Sequence, residues 1–207
     1  MKICLCSPMY STAVEAKHAM CLRRQKWPAG SQIIDLGSKA MWVCNALNDM
    51  VRIGMKNGGD WFVYMSSDAW WGKDAIARLI GHDKQVVGGW ACGRCWPFKC
   101  HVADYYDKER NMYRPVMNPG ERKGLEKVEA NGGELLVFRR DVFEKIPFPW
   151  FSGFGMFDEK TGRLRTEDYF FAEQCRKNGI DIWVDWDVPV AHKADGLYTY
   201  KGSLCAE

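Results

Sequence analysis

The chain has 207 residues, 47% hydrophobic, 14% aromatic and 27% charged, and its 29 Lys and Arg against 26 Asp and Glu leave a net charge of +3. That composition excludes a disordered chain, allows a single domain with a real core, and is too weakly basic for a dedicated nucleic-acid binder. No apolar run approaches the roughly 18 residues that a membrane helix needs.

The first apolar stretch, Ile3-Cys4-Leu5-Cys6, stops at Ser7-Pro8. It reads as a strand and is too short for the apolar region of a secretory signal, so a cytoplasmic chain is expected. Its nine cysteines are then free thiols rather than a disulfide framework. A helix over residues 13–24 is stopped by Trp27-Pro28-Ala29-Gly30, and residues 32–36 form a second strand. Val43, Leu47, Met50, Val51 and Gly54 recur at helical spacing up to Asn57-Gly58-Gly59.

Residues 61–65, Trp-Phe-Val-Tyr-Met, are apolar without alternation, as in a central strand buried on both faces. Ser66-Ser67-Asp68 and then Trp70-Trp71 follow, with a short helix through Asp74, Ile76, Leu79 and Ile80 and a strand over residues 86–89. Residues 91–131 are polar, aromatic and turn-rich with few periodic positions, which suggests a lid or binding loop. Regular structure returns with a strand over residues 134–138 and a short helix opened by Arg139-Arg140-Asp141 and closed by Ile146-Pro147. A second loop, residues 150–165, precedes a helix with Thr166 as N-cap, Glu167-Asp168 in its first turn and Gly179 past its end. Residues 180–185 and 188–192 read as two final strands. Strands alternating with helices in this way predict a single α/β domain with a mostly parallel central sheet.

Open parallel sheets bind ligands at the carboxyl ends of their strands. Asp68, the Glu167-Asp168 pair and His192 all fall at such positions. A carboxylate and an imidazole can hold Mg²⁺ or Mn²⁺, and a second carboxylate can take a proton from an attacking hydroxyl. The same residues also suit plainer roles: Asp68 a turn residue, Glu167 and Asp168 acids complementing a helix dipole, His192 a half-buried histidine. Cys92, Cys95, Cys100 and His101 offer a competing set of zinc donors. Trp70, Trp71, Trp96, Tyr105, Tyr106 and Tyr113 are candidates for stacking on a sugar or base.

The ordered set of segments resembles the small GT-A-fold (Rossmann-like) glycosyltransferases of the family-2 type, especially compact phage and bacterial forms. The residues that carry the likeness are Ser7-Pro8-Met9-Tyr10, residues 61–68 at the D-x-D position, Asp74 to Leu79 followed by Val86 to Gly89, Asn131 to Phe143, Pro149-Trp150-Phe151, Arg165 to Phe171, and residues 182–185 running on to His192. The resemblance implies transfer of a sugar from a nucleoside-diphosphate sugar to a hydroxyl acceptor, with inversion and with Mn²⁺ or Mg²⁺ on the diphosphate. Residues 1–90 would hold the nucleotide sugar and residues 91–207 the acceptor and catalytic groups. By position, Asp68 and His192 are the metal ligands, Asp168 is the base and Glu167 its neighbour orienting the acceptor or a loop. Pro8, Tyr10 and Asp35 lie where such proteins contact the nucleoside. The chain departs from the pattern at Ser66, which stands where the first acid of D-x-D is expected and offers a weaker ligand in the donor site.

Two other readings compete. A non-catalytic sugar-nucleotide binder would account for Ser66. A nucleic-acid surface could be built from Arg23, Arg24, Lys26, Arg139, Arg140, Arg163 and Arg165 with the loop aromatics. The latter merges with glycosyl transfer if the acceptor is a modified base in nucleic acid, flipped or single-stranded.

Overall fold

The computed structural model describes residues 1–9, 15–38, 42–93, 99–110, 112–132, 134–153, 157–158, 163–164 and 166–193. Tyr10, Cys95, Trp96 and Arg165 lie outside the described residues, as does the side chain of Arg163. In chain order the elements are β1 (Lys2–Ser7), α1 (Ala16–Arg24), β2 (Gln32–Gly37), α2 (Val43–Lys56), β3 (Trp61–Met65), β4 (Ala69–Trp70), α3 (Ala75–Gly81) and β5 (Val86–Trp90). There follow β6 (Ala103–Asp107), β7 (Met112–Pro115), a 3-10 turn (Pro119–Glu121), β8 (Leu125–Val128), β9 (Leu135–Arg139) and α4 (Arg140–Lys145). The last are β10 (Phe157–Asp158), β11 (Arg163–Leu164), α5 (Glu167–Lys177), β12 (Ile182–Pro189) and β13 (Ala191–His192).

Seven strands form the central sheet in the order β2-β1-β3-β9-β5-β12-β8. β1 is parallel to β2 and β3, and β5 is parallel to β12, whereas β9 runs antiparallel to both β3 and β5 and β8 antiparallel to β12. Five strands therefore share one direction, and β9 and β8 oppose it. All five β3 residues are buried, as their unbroken apolar run requires. The two-residue side-chain period divides them between two cores. Phe62 and Tyr64 join Cys4, Cys6, Leu136 and Phe138 under α2, α4 and α5, while Trp61, Val63 and Met65 join Ile3, Leu5, Leu135 and Val137 under α3.

α2 packs its stripe of Leu47, Met50, Val51 and Gly54 against β1 and β3. Gly54 permits the close approach, since a Cβ there would come within 2.5 Å of the Phe62 ring. Gly58, at φ +73°, turns the chain out of the helix in the left-handed region. α5 is seated by Phe171, which stacks on Phe151 at 5.1 Å and meets Phe138 edge-on at 5.0 Å. Asn48 of α2 fixes the Phe151 segment by accepting from the Trp150 and Phe151 N–H groups and donating to the Phe151 carbonyl. This aromatic wedge sets where the first turn of α5 lies.

Two expectations need correction. Residues 91–131 contain a hairpin, β6–β7, and a strand, β8, that closes one edge of the main sheet. Tyr106 and Tyr113 face each other across the hairpin at 4.9 Å and Tyr113 stacks on Tyr169 of α5 at 5.0 Å, so aromatic pairing replaces the apolar alternation that the sequence lacks. The two strands expected over residues 180–192 are one long strand, β12, with irregular pairing between Val184 and Pro189, followed by the short β13. Among the described residues no helix is long and apolar enough to cross a membrane.

Candidate active site

Four backbone routes meet at the carboxyl end of β3. The first is β3 itself, which leads into a turn closed by the Ala69 N–H on the Ser66 carbonyl at 3.1 Å and displays Ser66 and Asp68. β13 pairs antiparallel with β4, His192 opposite Ala69, and the Lys193 N–H reaches the Asp68 carbonyl at 2.9 Å, which sets the imidazole beside the aspartate. Because β9 opposes β3, its beginning lies at this end: Leu135 stands opposite Met65 and the Ser66 N–H donates to the Glu134 carbonyl at 3.1 Å. Beyond β5 the chain leaves at Ala91 and returns through a bridge between Cys92 and Cys100, so that the His101 N–H bonds to the Ala91 carbonyl at 2.9 Å.

These routes gather Asp68, His101, Glu134 and His192. Ser66 donates its hydroxyl to Asp68 Oδ1 at 2.6 Å. Asp68 Oδ1 lies 3.4 Å from His192 Nε2, and His192 Nδ1 lies 3.5 Å from Glu134 Oε1. His101 Nδ1 contacts the same Glu134 oxygen directly, and the two imidazoles meet edge to face at 6.0 Å. Gly132 makes the cluster possible, since a Cβ there would press on His101 Cβ at 2.6 Å and on Glu134 Oε2 at 2.8 Å. Burial opposes the charged form of His101, but the Glu134 carboxylate outweighs it and, with Asp168, lifts its pKa to about 9. Burial likewise pushes the Glu134 carboxyl up, yet His101 and His192 bring it below its ordinary value.

The acid pair belongs to the same electrostatic neighbourhood. Burial, then the charge of Asp168, raises Glu167 to about 7. Burial also raises Asp168, with Glu134 adding to the effect and the Thr166 hydroxyl and His101 opposing it. Thr166 occupies the N-cap position as expected, but its hydroxyl donates to the Asp168 carboxylate instead of capping the helix, and the Tyr169 N–H donates to that carboxylate at 2.9 Å.

On the other side of the Ser66–Asp68 turn, Pro8 is buried after β1, and the Met9 N–H bonds to Ser38 Oγ at 3.1 Å, joining the ends of β1 and β2. Asp35 is exposed on the edge strand β2, paired in register with Leu5. His18 of α1 lies beneath the turn, Nδ1 at 2.9 Å from the Ala69 carbonyl and ring edge-on to Trp71. Its pKa is lowered by burial, while Asp68 and Asp35 act in the opposite sense.

Several candidates take other roles. Trp70 and Trp71 are core residues, 5% and 2% exposed, and Trp71 donates from its indole to Gln25. Arg139 pairs with Asp141 and Asp83 and Arg140 with Glu144, at the opposite end of the sheet, where Arg139 stands opposite Trp61. Lys26 pairs with Asp74. Lys26, Arg139 and Arg140 are thus each engaged in an ion pair. Of the zinc set, Cys95 lies outside the described residues; Cys92 and Cys100 interact with each other, and His101, which also feels Cys92, directs Nδ1 to Glu134.

Among the described residues, His101, Glu134 and His192 each offer one donor atom, all within 4.8 Å of one another, a grouping that could hold a metal ion. Two imidazoles and a carboxylate suit a divalent first-row ion. Sequence reasoning reached His192 and placed Asp68 beside it, but read Glu134 only as a strand start. The signal was there in Gly132-Gly133 immediately before an acid, a place where backbone or side chains approach closely.

No protein-family model matches the chain, and no curated protein does. Among solved structures it is similar to A197 from STIV, at 12% identity over 94% of this chain and 87% of that one, with a TM-score of 0.62. It is also similar to GalNAc-T7 crystallised with UDP, GalNAc and Mn²⁺, at 12% identity over 99% of this chain, with a TM-score of 0.55. The chain spans 45% of the length of that second protein. At such identities the likeness concerns architecture alone, and with the sheet order and the two-sided helix cover it gives this chain a GT-A-like, Rossmann-type α/β fold.

Proposed function

We propose that the protein is a metal-dependent glycosyltransferase that moves a sugar from a nucleoside-diphosphate sugar to a hydroxyl acceptor. The observation that carries this reading is the convergence of Asp68, Glu134, His101 and His192 with the Glu167-Asp168 pair at the carboxyl ends of the parallel strands. In a GT-A-like fold that is where a ligand is expected, and the solved neighbour GalNAc-T7 holds UDP and Mn²⁺. A divalent ion, Mn²⁺ or Mg²⁺, would supply neutralisation of the diphosphate leaving group.

In this reading Pro8, Tyr10 and Asp35 contact the nucleoside, and Ser66 with Asp68 forms the rim between nucleoside and metal end. His192 belongs to the metal end. Asp168 takes the acceptor's proton, and its raised pKa brings a carboxylate closer to the range useful for that transfer. Glu167 orients the acceptor or the loop before α5. Residues 1–90 then serve mainly the donor and residues 91–207 the acceptor. One base on one face and a diphosphate on the other fit inversion at the anomeric carbon.

The test is a panel of nucleotide sugars with Mn²⁺ or Mg²⁺, read first by thermal shift, since a ligand bound only to the folded state stabilises it by mass action. Slow hydrolysis of the stabilising donor, followed by NMR of the released sugar, identifies both the donor and the anomeric outcome. A panel in which no nucleotide sugar shifts the unfolding midpoint or is turned over defeats the proposal.

A further inference from the structure

We propose that His101, Glu134 and His192 form a divalent-metal centre that holds its ion without nucleotide, and that Asp68 is a positioning residue for His192 rather than a ligand. The inference deepens the glycosyl-transfer reading and rests on it for the use made of the ion.

Both imidazoles present Nδ1 to one oxygen, Glu134 Oε1. Two donor atoms each about 2.1 Å from an ion stand roughly 3.0–3.4 Å apart, and the 3.5 Å between His192 Nδ1 and Glu134 Oε1 is close to that spacing. The His101–Glu134 contact is tighter and opens slightly to admit the ion. Asp68 faces the other nitrogen of His192, Nε2, at 3.4 Å, the relation by which a carboxylate fixes the orientation of a ligating histidine. A carboxylate on the far side of the ring is poorly placed to share the ion bound at Nδ1.

The donor types select the metal. Mg²⁺ and Ca²⁺ take shells of oxygen, whereas two imidazoles favour Zn²⁺ and its later first-row neighbours, with Mn²⁺ at the weak end of that series and relying more on the carboxylate. The cradle is also built for close approach. Glu134 is 7% exposed, and Gly132 leaves open the space that a side chain would take from both His101 and Glu134. Main-chain bonds tie the segments of the cluster together: Gly132 N–H to the His101 carbonyl at 3.0 Å, Ser66 N–H to the Glu134 carbonyl at 3.1 Å, and, next to His192, Lys193 N–H to the Asp68 carbonyl at 2.9 Å. None of these bonds waits on a nucleotide.

The experiment is titration of the full chain with MnCl₂, ZnCl₂ and MgCl₂ in the absence of nucleotide, by calorimetry and, for Mn²⁺, by loss of the free-ion EPR signal. One Mn²⁺ or Zn²⁺ per chain is expected, with Mg²⁺ weaker. His101→Ala and Glu134→Gln should each weaken Mn²⁺ binding by about 100-fold or more, with unfolding midpoints in chelator showing whether each variant is folded; if Glu134→Gln is not, His101→Ala decides. Asp68→Ala should cost about 10–100-fold and Asp68→Asn less, because the amide still accepts from the ring N–H. An Asp68→Asn variant as impaired as His101→Ala would make Asp68 a ligand and overturn its positioning role. Mn²⁺ binding only in the presence of UDP, unchanged by His101→Ala, would overturn the centre and leave the donor reading standing. Mn²⁺ binding that needs His101 and Glu134, in a protein that neither binds nor turns over any nucleotide sugar, would uphold the centre and defeat the donor reading.

Discussion

The Ser66 hydroxyl points at the Asp68 carboxylate, 2.6 Å from Oδ1, so the serine acts on the acid two positions later. A hydrogen bond to a charged group contributes about 1.5–3 kcal/mol where it is shielded from water. Ser66→Ala should therefore loosen Asp68 and weaken Mn²⁺-dependent nucleotide binding by roughly 3–30-fold, about 0.7–2 kcal/mol given partial exposure. Calorimetry with the donor found by thermal shift measures it. Equal affinity in the two proteins would show that Asp68 needs no such support.

Asp168 and Glu167 differ in what their loss should do. Asp168→Asn should leave folding and donor affinity in place while sugar transfer falls by about 10²–10⁴-fold, the usual contribution of a positioned base. Glu167→Gln should reduce transfer much less. Single-turnover transfer by the two variants separates them: full activity in Asp168→Asn with none in Glu167→Gln moves the base to Glu167.

The pH dependence of stability carries a signature of Glu167. Its carboxyl is raised from 4.5 to about 7 in the folded chain by burial and by Asp168. The folded state therefore holds the proton more tightly than the unfolded one, and this contribution is complete below pH 4.5 and is lost as pH rises through 7. Glu167→Gln should flatten the slope of the urea midpoint between those values. An identical slope in the variant would place the titration elsewhere.

Asp185 works in the opposite sense. Its side chain is fully buried on β12 and meets Arg78 of α3 at 2.5 Å and His82 at 2.7 Å. Burial pushes its carboxyl up, but those partners bring it below its ordinary range, so its contribution is present above the unfolded value and is lost as acid titrates it through the lower folded value. Removing one partner of a buried pair costs about 3–5 kcal/mol. Arg78 is 45% exposed and also holds Asp187 at 2.9 Å, so Asp185→Ala should cost less, about 2–3 kcal/mol by urea unfolding. A loss under about 0.5 kcal/mol would mean that the pair contributes little.

The strands that order the sheet were legible because Trp61 to Met65 and Val86 to Gly89 are apolar without a break, a pattern only a two-sided cover satisfies. Asp68 and His192 were legible as sheet-end residues for the same reason. Glu134 was not, because Leu135 to Phe138 present the same buried pattern whichever way the strand runs, and only direction decides which end reaches the site. His101 was obscured by its cysteine neighbours, which suggest thiolate chemistry until the fold turns its ring towards Glu134. The β6–β7 hairpin is held by tyrosines and by Arg176 over Tyr106, contacts made across the chain rather than along it. Thr166 shows the limit of local rules: the position is the N-cap, yet its hydroxyl goes to Asp168.

The reversed direction of β9 also makes its alignment a matter of chemistry. A slip of one residue against β3 would exchange Leu135 and Val137 with Leu136 and Phe138 between the two cores, and the phenylalanine cluster around Phe138 resists that. A slip of two residues would preserve the faces and escape such a check, yet it would carry Glu134 about 7 Å from Ser66 and empty the cluster. What guards against it lies at the far end of the strand, where the Arg139 N–H is held by the Gln85 carbonyl, its guanidinium by Asp141, and the Arg140 N–H by the Asp60 carbonyl. Those bonds, with the Gln85 side-chain amide donating to the Asp141 carboxylate at 2.6 Å, fix the length of sheet between anchor and site, so loss of the Gln85 or Asp141 side chain should reach Glu134 as a loss of alignment, a whole strand away from any group that touches a ligand.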